Sequence, residues 1–289
     1  MSDRDAARGV GEGGSTEALT FAFGDGDARL FGVARLGLAD GLASGLAVVF
    51  RDGEPIAVRA DGGVEPAGAS WDEVRAAGLE TATTAPGAAW ALRFAGGDDD
   101  AGAFELAFEA TSPPIELGAQ APAARAGGME GVDRVCRVRG TVAGEPFEGL
   151  GQRGRSWGMP DWERMSLTRT LSAWLDGRHA VTLAAVRPAG ARNHDEEAVS
   201  AFVLDAEAEE PVAPVREALL STAYDEAGRQ RRAGLELYLP GDDRPRRAAG
   251  EVVAGTSLDL GRLRLDCAFF RWRMEGRAGV GRYDVLRRA

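Results

Sequence analysis

The chain has 289 residues, 44% hydrophobic and 27% charged, with a formal net charge of −11. It is long enough for one large β domain or two domains with full cores, and its composition is that of a soluble globular protein. All 34 basic residues are arginines, which excludes Schiff-base lysine chemistry and a P-loop lysine.

Residues 1–16 are polar and Gly-rich and read as a disordered tail. Short apolar runs then follow one another at Leu19–Phe23, Arg29–Leu36, Leu46–Arg51, Pro55–Arg59, Trp90–Phe94 and Phe104–Ala110. Asp52-Gly53 between two of them is a hairpin signal. Asp98-Asp99-Asp100 at the tip of another hairpin lacks the spaced ligands of a calcium loop and reads as solvated. Ser70-Trp-Asp-Glu73 has the form of a capping box, and predicts one short helix ending near Gly78. Ser112–Gly128, rich in Pro, Ala and Gly, reads as a linker between an N-terminal domain over 17–118 and a C-terminal domain over 119–289.

The second half opens with the alternating strand Val132–Val142 and a turn, Ala143-Gly-Glu-Pro, that echoes Asp52-Gly-Glu-Pro. The echo suggests a duplicated architecture. Next comes Gly149-Leu-Gly-Gln-Arg-Gly-Arg-Ser-Trp-Gly-Met-Pro-Asp-Trp162, mobile by composition yet loaded with costly side chains. Two motifs in it are set aside. Gly149, Gly151 and Gly154 spell G-x-G-x-x-G, but Gly158 and Pro160 forbid the helix that would hold a pyrophosphate. Gly154, Ser156 and Gly158 spell a nucleophile elbow without the following helix, and the only histidines, His179 and His194, come too early for a triad. Ser156 then reads as a polar residue beside a bend.

Asp176-Gly177 between Ser166–Leu175 and Arg178–Val186 is the strongest hairpin signal in the chain. A two-residue turn sets Trp174 opposite His179 and Ser172 opposite Val181. One face then carries Thr168, Thr170, Ser172, Trp174, His179 and Val181, which suits a pocket wall or, for His179 near the turn, a solvated face. Further strands run at Ala198–Leu204, Pro214–Tyr224, Gly234–Leu239, Ala248–Val253, Leu263–Met274 and Val280–Leu286. In Leu263–Met274 the apolar parity shifts at Phe269-Phe270, which predicts a β-bulge. From Arg229 onward there are 14 arginines against 8 acids, a net of +6 that leaves −17 elsewhere. These arginines alternate with apolar residues, as on a solvated strand face, so no nucleic-acid partner is expected. Cys136 and Cys267 lack metal-ligand spacing and read as buried thiols of a cytoplasmic protein, with no metal site. No apolar run reaches the ~18–20 residues of a membrane span, so no integral membrane association is expected. The predicted fold is all-β.

Val135-Cys-Arg-Val-Arg-Gly-Thr-Val142, the Gly149–Trp162 block and Gly279-Val-Gly-Arg-Tyr283 resemble the AttH/carotenoid-hydratase-like superfamily, whose central block reads roughly G-x-G-Q-R-D-H-S-W-G-x-R-D-W. The resemblance implies two lipocalin-like antiparallel β-barrels packed together, a hydrophobic cavity, and no cofactor. Activities implied are binding of a small hydrophobic, isoprenoid or lipid-like molecule, or cofactor-independent hydration, isomerisation or cyclisation of a hydrophobic polyene by a carboxylic acid. Where the superfamily has Asp-His this chain has Gly154-Arg155, and its last-strand acid is replaced by Arg282. Guanidinium does not give up its proton, so the pair's acid chemistry is lost and binding is favoured over catalysis. The remaining acids near the block are Glu148, Asp161 and Glu163, of which Asp161 and Glu163 are the candidate catalytic carboxyls. Arg153, Arg155, Trp157, Trp162, Trp174 and His179 are the candidate ligand-binding residues. The alternative role for Asp161 is an ion pair with Arg153 or Arg155 that latches the two halves. The oligomeric state is not legible in the sequence.

Overall fold

The computed structural model describes residues 15–96, 101–193 and 196–289, so the acidic tip Asp98–Asp100, His194 and most of the expected N-terminal tail lie outside the described residues. Thr16, assigned to that tail, already belongs to the first strand. Contacts divide the chain into two compact units, one of Met1–Thr111 with Asp133–Met159, the other of Ser112–Val132 with Pro160–Ala289. The boundary expected at 118/119 differs from this division, because the hairpin holding the Gly/Trp block returns to pair with the first strand of the chain.

The first sheet contains β1 (Thr16–Asp25), β2 (Leu30–Ala39), β3 (Leu42–Arg51), β4 (Glu54–Val64), β5 (Ala67–Ser70), β6 (Glu73–Ala76), β7 (Leu79–Ala85), β8 (Ala89–Phe94), β9 (Phe104–Ala110), β10 (Ile115–Leu117), β11 (Met129–Val142) and β12 (Glu145–Gly158), in the order β4-β3-β2-β1-β12-β11-β9-β8-β7-β6-β5 with β10 on β11. The second contains β13 (Met165–Trp174), β14 (His179–Pro188), β15 (Ala198–Asp205), β16 (Val212–Pro214), β17 (Glu217–Tyr224), β18 (Gln230–Tyr238), β19 (Arg246–Asp259), β20 (Leu263–Met274) and β21 (Arg277–Arg288), in the order β16-β15-β14-β13-β21-β20-β19-β18-β17. In each sheet the two edge strands are consecutive in the chain, β4 then β5 and β16 then β17. The chain thus steps from one edge to the other and the sheet rolls up, one nearly closed and the other a half-barrel. The step in the second sheet is tied on both sides, by Val215 N–H to the Ala201 carbonyl and Arg216 N–H to the Tyr238 carbonyl.

Rolling brings the first and last long strands of each meander together, β1 on β12 and β13 on β21, and in both units a G-x-G lies at that seam. A Cβ on Gly149 or Gly151 would strike the carbonyls of Gly24 and Ala22, and one on Gly279 or Gly281 those of Trp174 and Ser172. The glycines are there for close backbone approach, which is also why the apparent dinucleotide motif has no helix after it. The duplication lies here rather than in the turn echo. Asp52-Gly53 and Ala143-Gly144 do both have positive φ and form the same tight hairpin turn, but both lie in the first unit.

Two expectations are corrected. Ser70–Gly78 is not helical: Glu73–Ala76 is a strand paired with β7, its side chains alternating exposed and buried, so Val74 and Ala76 join the core by period two, with Trp71 of the preceding turn beside them. The short helix is α1 (Pro122–Gly127), within the presumed linker, opened by Pro at N1 and closed by left-handed Gly128. Its N-cap side chain makes no bond, and Ser200 Oγ of β15 accepts from the Ala123 N–H at 3.1 Å instead. In β20 there is no bulge. Its pairing with β21 is unbroken, and the irregularity lies in β19 between Val252 and Ala254. The parity shift at Phe269-Phe270 arises because both residues are fully buried, one on each face.

Gly151→Ala and Gly279→Ala are each expected to destabilise the fold by about 1–3 kcal/mol or more through backbone overpacking. Gly62→Ala, where a Cβ meets only open space, is expected to change a urea unfolding midpoint little.

Candidate functional site

The block Gly149–Trp162 divides at Gly158. Up to that glycine it is a continuous strand in register with β1, so Ser156 sits mid-strand opposite Ala18 rather than beside a bend. Side chains alternate, and Arg153, Arg155 and Trp157 share the face of their partners Phe21, Leu19 and Glu17, with Phe21 and Leu19 in the core of the first unit. Two arginines among apolar side chains need partners. Arg155 bonds the Glu17 carboxylate, the side chains being 2% and 11% exposed, and Trp71 Nε1 donates to the other Glu17 oxygen at 2.7 Å. The Arg153 guanidinium lies 4.7 Å from the centroid of the Trp90 ring. The carboxylate that holds Arg155 therefore comes from β1, a strand with no motif to advertise it. On the opposite face, a Cβ on Gly154 would meet the carboxylate of Asp133 from β11. Glycine at this departure from the superfamily block leaves room for that acid.

Asp161, Trp162 and Glu163 belong to the second unit. Both acids are exposed. Asp161 accepts from the Glu163 N–H at 3.0 Å, and Glu163 pairs with Arg288 at 3.3 Å in full view of solvent. Trp162 is half-buried and packs with Ala123, Met165 and Val186, fastening α1 to the sheet.

The hairpin β13–β14 departs by one residue from the expected register. Trp174 lies opposite Ala180 and Ser172 opposite Thr182, because Leu175 pairs with His179 around a three-residue turn. A one-residue slip exchanges faces. Trp174 and His179 therefore point to opposite sides of the sheet. His179 lies with Leu175 and Val181 on the core side, its Nδ1 2.9 Å from Asp176 and its Nε2 3.4 Å from Asp205. Against the penalty of partial burial, hydrogen bonds from the Arg178 and His179 N–H groups and the His179 ring hold the Asp176 carboxyl below the usual carboxylate range. This is a clamp on the turn.

Trp174 shares its face with Thr170, Ser172, Thr182, Cys267, Phe269, Arg282 and Asp284, since Leu171, Ala173, Ala268, Phe270, Tyr283 and Val285 all belong to the core on the other side. This second face is buried as well: Trp174 and Phe269 are 0% exposed, Cys267 1%, Ser172 2%, Thr182 5% and Asp284 8%. Burial pushes the Asp284 carboxyl above its ordinary range, even though Arg282 Nε lies 2.7 Å from its Oδ2 and the Cys267 thiol also donates to it. Its Oδ1 has no hydrogen-bond partner among the described residues. A desolvated carboxyl holds its proton more readily than one in water. The sequence reading passed over Asp284 because it stands as one polar residue in an alternating strand. The available signal was period two, which puts Arg282 and Asp284 on one face.

The rolled meanders and the seam glycines give each unit a lipocalin-like form. Among solved structures, the chain is similar to an AttH protein from Nitrosomonas europaea (TM-score 0.69, 14% identity, 94% of this chain and 91% of that one). It is also similar to CghA with Sch210972 (0.66, 10%, 95% and 89%) and to kievitone hydratase from Nectria haematococca (0.65, 12%, 99% and 93%). By sequence, the chain belongs to the family described as Domain of unknown function (DUF7064), which matches residues 5–289. No curated protein matches it. Among the described residues no helix is long and apolar enough to cross a membrane.

Arg155→Met is expected to cost about 3–5 kcal/mol, because it strands the buried Glu17 carboxylate; adding Glu17→Gln should recover part of the loss in a double-mutant cycle of urea melts. The stabilisation from Asp176 is fully present above the ordinary Asp value near ~3.9 and disappears as pH falls through its lowered folded value. Asp176→Asn should accordingly shrink the difference between unfolding midpoints at neutral pH and at about pH 3.

Proposed function

We propose that this protein is a cofactor-independent enzyme that takes up a small hydrophobic alkene and protonates it from Asp284. The observation that carries the reading is the buried Asp284 carboxyl with its uncommitted Oδ1, beside Arg282 and Phe269 on one sheet face. In the reaction the Asp284 O–H bond breaks and a C–H bond forms at one alkene carbon, leaving a cation at the other. Water adds to that cation in a hydration, or a second double bond of the same molecule attacks it in a cyclisation. The proton then lost by the adduct returns to the Asp284 carboxylate, so no redox partner is needed. Arg282 stabilises the carboxylate that forms transiently, and the aromatic ring of Phe269 favours the cation. The names of the similar structures, a hydratase among them, agree with this class of chemistry.

The preference for a binding protein rested on the missing Asp-His pair. Asp284 supplies an acid that does not depend on it. Hydrophobic binding remains the first step of the proposed reaction, and an isoprenoid-like polyene in the cytoplasm is the substrate class and setting proposed.

The test is turnover of farnesol and geranylgeraniol in deuterated water, read by mass spectrometry. Wild type is expected to place deuterium on carbon, and Asp284→Asn to slow this by about 10²–10⁴-fold while keeping a cooperative melt. Asp161→Asn and Glu163→Gln are expected to match wild type. Equal rates in wild type and Asp284→Asn would contradict the assignment, as would the absence of product from both alkenes.

A further inference from the structure

Trp174 is fully buried, yet its indole N–H has no hydrogen-bond acceptor among the described residues. Buried tryptophan usually finds a partner for that tip, and an unmade bond there is a cost that phenylalanine would avoid. On its own sheet it is flanked by Ala180 and Val280, neither of which offers a side-chain acceptor. Trp174 lies on the same face as Asp284, whose Oδ1 is likewise uncommitted. Because Trp174 is paired with Val280, four residues before Asp284 along β21, the two Cα positions are about 14 Å apart. Between them on that face lie Ser172, Phe269 and Arg282, which pair across the strands.

We infer that Trp174 is a second anchor for the ligand, its N–H donating to an oxygen at the end of the molecule remote from the carbon that Asp284 protonates. The substrate class is thereby narrowed to an elongated apolar molecule about 14 Å long that carries a hydroxyl or carbonyl oxygen at one end, as opposed to a plain hydrocarbon. Which end reacts rests on the reading of Asp284 as the acid; the anchoring itself does not. Trp272 provides the contrast. Its Nε1 also lacks a partner among the described residues, but it lies on the core face, stacked on Phe270 at 5.5 Å between ring centroids. It has no acid on that face at the same spacing and is assigned no ligand.

The experiment is calorimetric titration of the 289-residue chain with farnesol and with the hydrocarbon farnesene. Wild type is expected to prefer farnesol by about tenfold, the factor that one net hydrogen bond supplies. Trp174→Phe, which keeps the ring and removes the donor, is expected to reduce farnesol affinity to the farnesene level with farnesene unaffected, whereas Trp272→Phe keeps the preference. An unchanged preference in Trp174→Phe overturns the inference, as does a wild type that does not discriminate or binds neither probe. Asp284→Asn should preserve the preference. Loss of the anchor and loss of the acid are thus read separately, one in the affinity ratio and the other in deuterium transfer.

Discussion

The close approach of the last strand of each meander to the first is the constraint on which both units rest. Gly149 and Gly151 let β12 lie against β1, and Gly279 and Gly281 let β21 lie against β13, at distances a Cβ would forbid. Without that approach the meanders would remain open sheets, each with two long edges of unsatisfied backbone groups. With it, each sheet rolls, and the chain crosses the remaining gap itself at Val64–Ala67 and Pro214–Glu217. The strands that carry the costliest side chains, β12 with its arginines and β21 with Arg282 and Asp284, are the two that the glycines bring in.

Charge is then handled in two ways. In the first unit Arg155 is matched by Glu17 and capped by Trp71, so the buried charges are compensated and the arrangement is structural. In the second unit Arg169 and Arg187 converge on the buried Glu197, and Arg264, Arg287 and Ser257 converge on Asp266, which is 1% exposed. Asp284 differs from both acids. The Arg282 guanidinium, the Cys267 thiol and the Ala268 N–H all favour its charged form, yet burial outweighs them, and Oδ1 has no hydrogen-bond partner among the described residues. Holding a carboxyl above its solution value costs the fold stability near neutral pH, since the folded state then binds a proton that the unfolded state releases. Sites that bear such a cost without structural return are where chemistry is expected.

Much of the fold was legible because it is written in period two and in turn residues. The strands, the Asp52-Gly53 hairpin and the all-β architecture need only alternation and Gly-Asp chemistry. The misplaced helix shows the limit of local signals: Ser70-Trp-Asp-Glu73 has a capping-box pattern, yet Val74 and Ala76 bury on alternate positions, so pairing with β7 prevails over the cap. The candidate site was harder to read. His179 and Trp174 were assigned to one face because a two-residue turn was assumed, and a single extra loop residue separates them. Asp161 and Glu163 stand beside the recognisable block, but adjacency in sequence does not confer burial. Glu17 and Asp284 carry no motif, and long-range pairing gives each its role.

The central claim is that burial on the outward face of β21 keeps Asp284 protonated beyond the range of an ordinary aspartate. It is tested most directly by pH titration of the protein labelled with ¹³C at the aspartate carboxyls, with Asp284→Asn used to assign the resonance. The account predicts a midpoint clearly above the ordinary value of about 3.9 and a downward shift when Arg282 is kept but Phe269 is opened to water by Phe269→Ala. A midpoint at or below the ordinary value in wild type would contradict it and leave Asp284 as the anion of a structural ion pair.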